Sequence, residues 1–231
     1  ATMEELRGYF DISMNTVRRD VAELLQRGTV VKVYGGVQAR PTEQTLTPYE
    51  VRRRGSGEAK AAIGMRAAEM VQDGDVIFIT AATVGYFMAE RLPEELNLRV
   101  VTNSTIMAEV LRKKPNVRVI MLGGEMDSKG NCYDAIAIET IKRLRFDKCF
   151  LTSACISASF GLSIQKSQAI SFWNAVIDSS KQAIGLYPTE KIGMDSIVSI
   201  CPANRLDTLI TDWDASEEDL KKFALNKDMV K

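Results

Sequence analysis

Apolar residues recur first at helical spacing. Met3, Leu6 and Phe10 stand at i, i+3 and i+7, one stripe of a short helix. Thr2 and Glu5 bracket its start as a capping box, the hydroxyl accepting from the third helical N–H and the glutamate reaching back to the threonine's own N–H. Asp11-Ile12-Ser13 then breaks the period and Ser13 offers a second N-cap. Val17, Val21, Leu24 and Leu25 share one face of the helix that follows, and Gly28 supplies its C-terminal stop. The next run, TVVKVYGGV, alternates β-branched residues and turns at Gly35-Gly36, as a hairpin does. Helix, turn, helix and hairpin are therefore expected over residues 1–40.

The apolar period lapses over residues 41–57, where prolines, Arg52-Arg53-Arg54 and Gly55-Ser56-Gly57 predict a linker. From Glu58 onward, amphipathic segments alternate with VIFIT, LRVVT, VRVIML, KCFLTS, AIGLY, SIVSI and TLITD. Ile63, Ala67, Met70 and Val71 mark one helical face, and Ala169, Phe172, Trp173 and Val176 another. Such alternation predicts an α/β domain over residues 58–231, with a mostly parallel sheet and flanking helices.

Composition narrows what this fold can be. The chain has 231 residues, 45% of them hydrophobic and 26% charged, and lacks the apolar run that spans a bilayer. No signal-peptide pattern opens it, so a cytoplasmic setting and no membrane partner are expected. The four cysteines form no CxxC and there is no histidine, so no metal and no cofactor are expected. The missing histidine also removes the commonest general base. Residues 1–40 carry a balance of only +1, a weak electrostatic footprint for DNA.

The helix after Ser13 nevertheless carries the right side chains. At 100° per residue, Arg19 points opposite the apolar stripe, Asn15 and Thr16 flank it, and Arg18 lies at the edge of the exposed face. These residue types contact phosphates and base edges from the N-terminal half of a recognition helix. The same pattern suits a solvated helix face, with Arg19 pairing to Glu23. The capped pair of helices and the hairpin favour the first reading. Ser13, Thr16-Val17-Arg18-Arg19-Asp20, Gly28 and Lys32-Val33-Tyr34-Gly35-Gly36 resemble the N-terminal signature of the DeoR family of bacterial transcription regulators. Lys32 stands for the family's arginine and Tyr34 for its histidine.

The resemblance implies a winged helix-turn-helix in which Ser13, Asn15, Thr16, Arg18, Arg19, Lys32 and Tyr34 meet operator DNA. Only part of that domain is expected, because the family's preceding helix would lie before Ala1. An N-terminally truncated chain follows. The low charge of the head implies that affinity is built by a homo-oligomer, a dimer or tetramer, binding through several heads.

The resemblance continues through Glu58, Lys60, Asp73-Gly74-Asp75, Arg145-Phe146-Asp147, Phe150, Gly161-Leu162 and Leu209-Ile210-Thr211-Asp212. It implies a sensor domain of the sugar-phosphate-isomerase-like fold, binding a small anionic metabolite. Polar loops follow the expected strands: Thr80, Ala82 and Thr83; Thr102, Asn103 and Ser104; Gly123 and Gly124; Ser153-Ala154; and Pro188 to Lys191. Ligands of parallel sheets bind at such strand ends, and helix N-termini there suit an anion. The expected effector residues are Thr80, Ala82, Thr83, Thr102, Asn103, Ser104, Gly123, Gly124 and Lys191.

Two loops depart from the family. Thr80-Ala81-Ala82-Thr83-Val84-Gly85 stands where the family has Asp-Ser-Gly-Thr-Thr-Thr, and Tyr187-Pro188-Thr189-Glu190-Lys191 where it has Ala-Asp-Ser-Ser-Lys. Both carboxylates are lost and the lysine is kept, which implies an effector other than an ordinary sugar phosphate, or a sensor that no longer binds one. Asp178-Ser179-Ser180-Lys181 imitates the second motif one strand too early. The competing reading is an isomerase-like enzyme with an N-terminal interaction appendage, for which Glu190 would have to serve as base.

Overall fold

The computed structural model describes residues 2–26, 30–33, 36–39, 57–223 and 225–229. It divides into two compact units, residues 1–51 and 52–231.

In the first unit, α1 (Met3–Phe10) begins at the expected capping box: Thr2 Oγ1 accepts from Glu5 N–H at 3.2 Å, and Glu5 Oε2 accepts from Thr2 N–H at 2.8 Å. Asp11 closes the helix in the left-handed region at φ 51°. Helix α2 (Met14–Gln26) follows, then the antiparallel strands β1 (Val30–Val33) and β2 (Gly36–Ala39). Val33 pairs with Gly36, so the two strands flank residues 34–35, which lie outside the described residues. Val17, Val21 and Val37 form a small core, with Met3, Leu6, Ile12, Leu25 and Val30 against it. Two stripe residues do not join it: Phe10 is 59% and Leu24 40% exposed. Periodicity assigns them a face, but each lies at a stripe margin or a helix end where the small core does not reach.

The second unit is a seven-stranded parallel sheet in the order β12-β11-β9-β6-β3-β4-β5. Its strands are β3 (Val76–Ile79), β4 (Leu98–Thr102), β5 (Val117–Met121), β6 (Phe146–Leu151), β9 (Ser180–Leu186), β11 (Thr208–Thr211) and β12 (Asn226–Met229). The central strands are almost continuously apolar because helices cover both faces of such a sheet. Ile77, Phe78, Ile79, Cys149 and Phe150 are fully buried. The covering helices include α3 (Gly57–Ala68), α4 (Thr83–Arg91), α5 (Thr105–Leu111), α6 (Ala135–Lys142) and α7 (Ile170–Asp178), with α8 (Glu217–Lys221) near the end. Phe78, Phe172 and Trp173 meet edge to face at 5.3–6.2 Å between ring centres, which ties α7 to the sheet.

SIVSI is a strand, but not of this sheet. It forms β10 (Val198–Cys201), which joins β7 (Cys155–Ser157) and β8 (Gly161–Ile164) in a separate antiparallel sheet. Period two alone cannot tell which edge a short strand will find. Strands β7, β8 and β12 were not expected from the sequence; β12 (NKDM) carries two charges, as edge strands commonly do.

The amino side of the sheet is fastened by ion pairs. Lys148 Nζ lies 2.6 Å from Asp75 Oδ2 with both residues 9% exposed, and Asp75 Oδ2 also accepts from Gln72 N–H. Lys181 pairs with Asp147, whose other oxygen accepts from Val76 N–H. The imitation motif Asp178-Ser179-Ser180-Lys181 runs from the end of α7 into the start of β9. It therefore belongs to this side, away from the loops that follow the strands.

Candidate functional site

In the first unit, Ser13 Oγ accepts from Thr16 N–H at 3.2 Å and lies 2.8 Å from Thr16 Oγ1. Both hydroxyls are engaged in starting α2. One turn on, Val17 and Val21 face the core at 2% and 5% exposure, so Asn15, Arg18 and Arg19 are turned to solvent. Arg19 approaches Asp20 at 3.4 Å with its side chain 80% exposed, a surface pair that costs little to break. Of the expected DNA contacts on the hairpin, Lys32 lies in β1 with its side chain outside the described residues, and Tyr34 lies outside them altogether.

In the second unit every strand of the parallel sheet ends on the same side, so its loops share one edge. At the centre, β6 lies between β3 and β9. Thr80, after β3, is 2% exposed, and its N–H donates to Phe150 O at 2.9 Å. Ala82, at φ −119°, is the N-cap of α4 and gives its amides no side-chain acceptor, and Thr83 is the first helical residue. That φ is open to any residue, so the family's turn glycine is not needed at 82. A glycine is needed three residues later: a Cβ on Gly85 would sit 2.2 Å from Thr80 O.

At the end of β4, Thr102, Asn103 and Ser104 are fully buried. Thr102 Oγ1 donates to Ile79 O and accepts from Ser104 N–H, and Ser104 Oγ caps α5 through Met107 N–H and lies 3.2 Å from Tyr86 Oη. These hydroxyls hold the turn together. Asn103 Nδ2 donates to Cys132 O at 3.1 Å, which fixes its orientation, while Asn103 Oδ1 has no partner among the described residues. After β5, Gly123 and Gly124 are exposed. Gly124, at φ +136°, could not carry a Cβ: it would lie 2.2 Å from Asp134 Oδ1, and that carboxylate caps α6 and accepts from Glu125 N–H.

Lys191 ends the 3-10 turn Thr189–Lys191 after β9. Its ammonium reaches across to the end of β6, donating to Ser153 O at 2.8 Å and Thr152 Oγ1 at 3.3 Å. Burial, aided by the charge of Lys60 and opposed by Glu190 and Cys155, lowers its pKa to about 8. The turn is clamped by Asp212, 2% exposed, which accepts from Thr189 N–H at 2.8 Å and Thr189 Oγ1 at 2.7 Å. Beneath it, the Tyr187 hydroxyl accepts from Ser153 N–H and donates to Ser153 Oγ, whose own proton goes to Cys155 O. Lys60, on α3, lies 3.0 Å from Glu190 Oε1.

Lys191 thus shares its surroundings with Lys60, Glu190, Thr152 and Ser153, and Asp212 sets the turn that carries it. Sequence reasoning placed none of these five among the effector residues. Lys60 and Asp212 stood out only as motif residues; the order β11-β9-β6 and the packing of α3 on β9 and β11 bring them together, and no local pattern encodes either.

A family model for the DeoR C terminal sensor domain matches residues 56–213, and one for the DeoR-like helix-turn-helix domain matches residues 1–43. The chain belongs to the DeoR family. It is 29% identical over 210 residues to the glycerol-3-phosphate regulon repressor of Escherichia coli, covering 90% of this chain and 83% of that one. It is 28% identical over 212 residues to the HTH-type transcriptional repressor GlcR of Bacillus subtilis, covering 91% and 81%. Ribose 5 phosphate isomerase A from Neisseria gonorrhoeae overlaps 60% of this chain and 53% of its own at 13% identity and a TM-score of 0.42, a likeness too slight to carry chemistry. As a DeoR member the chain is a DNA-binding transcription regulator, not an enzyme. The geometry agrees: Glu190, the one base the enzyme reading had left, is tied to Lys60 with its side chain 52% exposed, the opposite of a desolvated general base.

Proposed function

We propose that this DeoR member represses transcription by binding operator DNA through the exposed face of α2, and that a small anionic metabolite bound at the carboxyl edge of the parallel sheet switches it. The observation that carries the effector reading is the pairing of a half-buried cation with an uncapped helix start around one strand end. Lys191 is held to Thr152 at the end of β6, and α4 begins without a side-chain cap after β3. Neighbouring strands lie about 4.8 Å apart, so cation and free amides flank β6 within reach of one phosphate-sized group. The relative named for the glycerol-3-phosphate regulon makes a phosphorylated metabolite the first class to try.

Thr83, Lys191 and the amides of α4 hold the anion in this reading, and Asn103 Oδ1 offers an acceptor to a ligand hydroxyl. Thr80, Ala82, Thr102, Ser104, Gly123 and Gly124 shape the loops. The loss of both family carboxylates, at Thr80 and Pro188, favours an effector that is anionic without being an ordinary sugar phosphate. A weakly charged head further implies a dimer or tetramer, since two tethered heads raise affinity without any new interface. The segment between β2 and α3 serves as the linker, and the protein acts in the cytoplasm.

Thermal shift with hexose phosphates, pentose phosphates and glycerol 3-phosphate tests the sensor. Stabilisation by one of them that vanishes in Lys191→Met supports the site. Equal stabilisation of the variant refutes it, and strong stabilisation by a common hexose or pentose phosphate refutes the expected departure from sugar phosphates.

A further inference from the structure

Both lysines of the candidate anion site are already engaged by the chain itself. Lys191 donates to Thr152 Oγ1 and Ser153 O. Lys60, its side chain only 18% exposed, lies 3.0 Å from the Glu190 carboxylate. Glu190 stands between two clamped neighbours: Thr189 is fixed to buried Asp212 through both its N–H and its hydroxyl, and Lys191 is fixed to β6. The backbone at Glu190 is thereby set, while its side chain, 52% exposed, is free to leave Lys60 for water. An exposed carboxylate that swings away regains its hydration, so its displacement costs little beyond the broken ion pair.

We propose that Glu190 is a built-in competing carboxylate, which neutralises Lys60 in the ligand-free sensor and must be displaced by an incoming anion. The proposal rests on the reading of this edge as an anion site and adds what sets its affinity and its ligand class. A carboxylate ligand would exchange one carboxylate for another at Lys60 and gain almost nothing. A phosphate monoester brings close to two charges at neutral pH, enough to take over Lys60 while also meeting Lys191. Glu190 therefore selects phosphorylated metabolites over carboxylated ones and keeps the sensor unresponsive to weak anions.

Isothermal titration of the full chain separates the possibilities, with inorganic phosphate, glucose 6-phosphate and gluconate as probes for wild type, Glu190→Gln and Lys191→Met. Glu190→Gln is expected to tighten binding of inorganic phosphate about tenfold, close to 1.4 kcal/mol, and to make gluconate binding measurable. Its melting temperature should stay near that of wild type, because only a half-exposed pair is removed. Phosphate binding that appears only in Glu190→Gln would support the proposal as strongly. If wild type and Glu190→Gln bind phosphate equally, or the variant binds more weakly, while Lys191→Met loses it, the anion site stands and the competition is refuted. If none of the probes binds wild type or Glu190→Gln, the anion site itself is refuted and the competition with it.

Discussion

Replacing Gly85 by alanine tests how the departed loop after β3 is built. A Cβ there would lie 2.2 Å from Thr80 O and 3.2 Å from both Ile79 Cγ2 and Thr80 Cγ2. An unstrained carbon-to-oxygen approach needs about 3.3 Å or more, so α4 must lift from the end of β3 by about 1 Å. The obstructing atom is backbone, and its residue is tied through its N–H to Phe150 O, so no side-chain rotation relieves the clash. Overpacking of this kind costs about 1–3 kcal/mol. Alanine's better helix propensity returns about 0.5–1 kcal/mol. The net expectation is a loss between about 0 and 2.5 kcal/mol, centred a little above 1, with the bulkier, β-branched Gly85→Thr losing more. Both tryptophans, buried Trp173 and half-exposed Trp213, belong to the second unit, so tryptophan fluorescence in a urea titration follows that unit. A midpoint for Gly85→Ala above that of wild type, at unchanged slope, would refute the close approach of α4 to Thr80.

Three further outcomes follow from the same geometry. Arg18→Ala with Arg19→Ala should weaken operator binding without unfolding the head, since both side chains are exposed, and should flatten the dependence of log affinity on log salt by about 0.9 for each phosphate left without its arginine; an unchanged salt slope in fluorescence anisotropy would count against α2 as the contacting helix. Lys191, facing Lys60, Glu190 and Cys155, holds its proton only up to about pH 8, so affinity for a phosphate monoester should hold from pH 7 to 8 and then fall by up to tenfold per unit, a decline absent in Lys191→Arg. The same lowered pKa means that the unfolded chain keeps this proton to higher pH than the folded one, so the residue's contribution to stability rises between about 8 and 10.5. Asp75→Asn should cost about 3–5 kcal/mol by leaving the buried Lys148 ammonium without its counter-charge, and pairing it with Lys148→Met should recover part of that loss in urea titrations; a cost under 1 kcal/mol would show that the pair is open to water.

The sequence by itself determined each feature whose cause is local. The Thr2–Glu5 capping box, the Ser13 start of α2 and the apolar strands around VIFI and LRVV depend on neighbours within a few residues, and period and capping chemistry expose them directly. The family signatures were equally legible, because they are runs of contiguous residues. Tertiary structure alone decided which strand lies beside which. SIVSI has the alternation of a sheet strand yet pairs with β8 outside the main sheet, and Phe10 and Leu24 hold stripe positions that the small core leaves uncovered. The candidate site divides in the same way. Lys191 was marked by its motif, but its company of Lys60, Glu190, Thr152 and Asp212 comes from residues up to about 150 positions apart in the chain, joined by the order β11-β9-β6 and by the packing of α3 on β9 and β11. A repeat of apolar residues specifies which face is buried and leaves the partner undetermined, since that choice rests on long-range packing with no local signature.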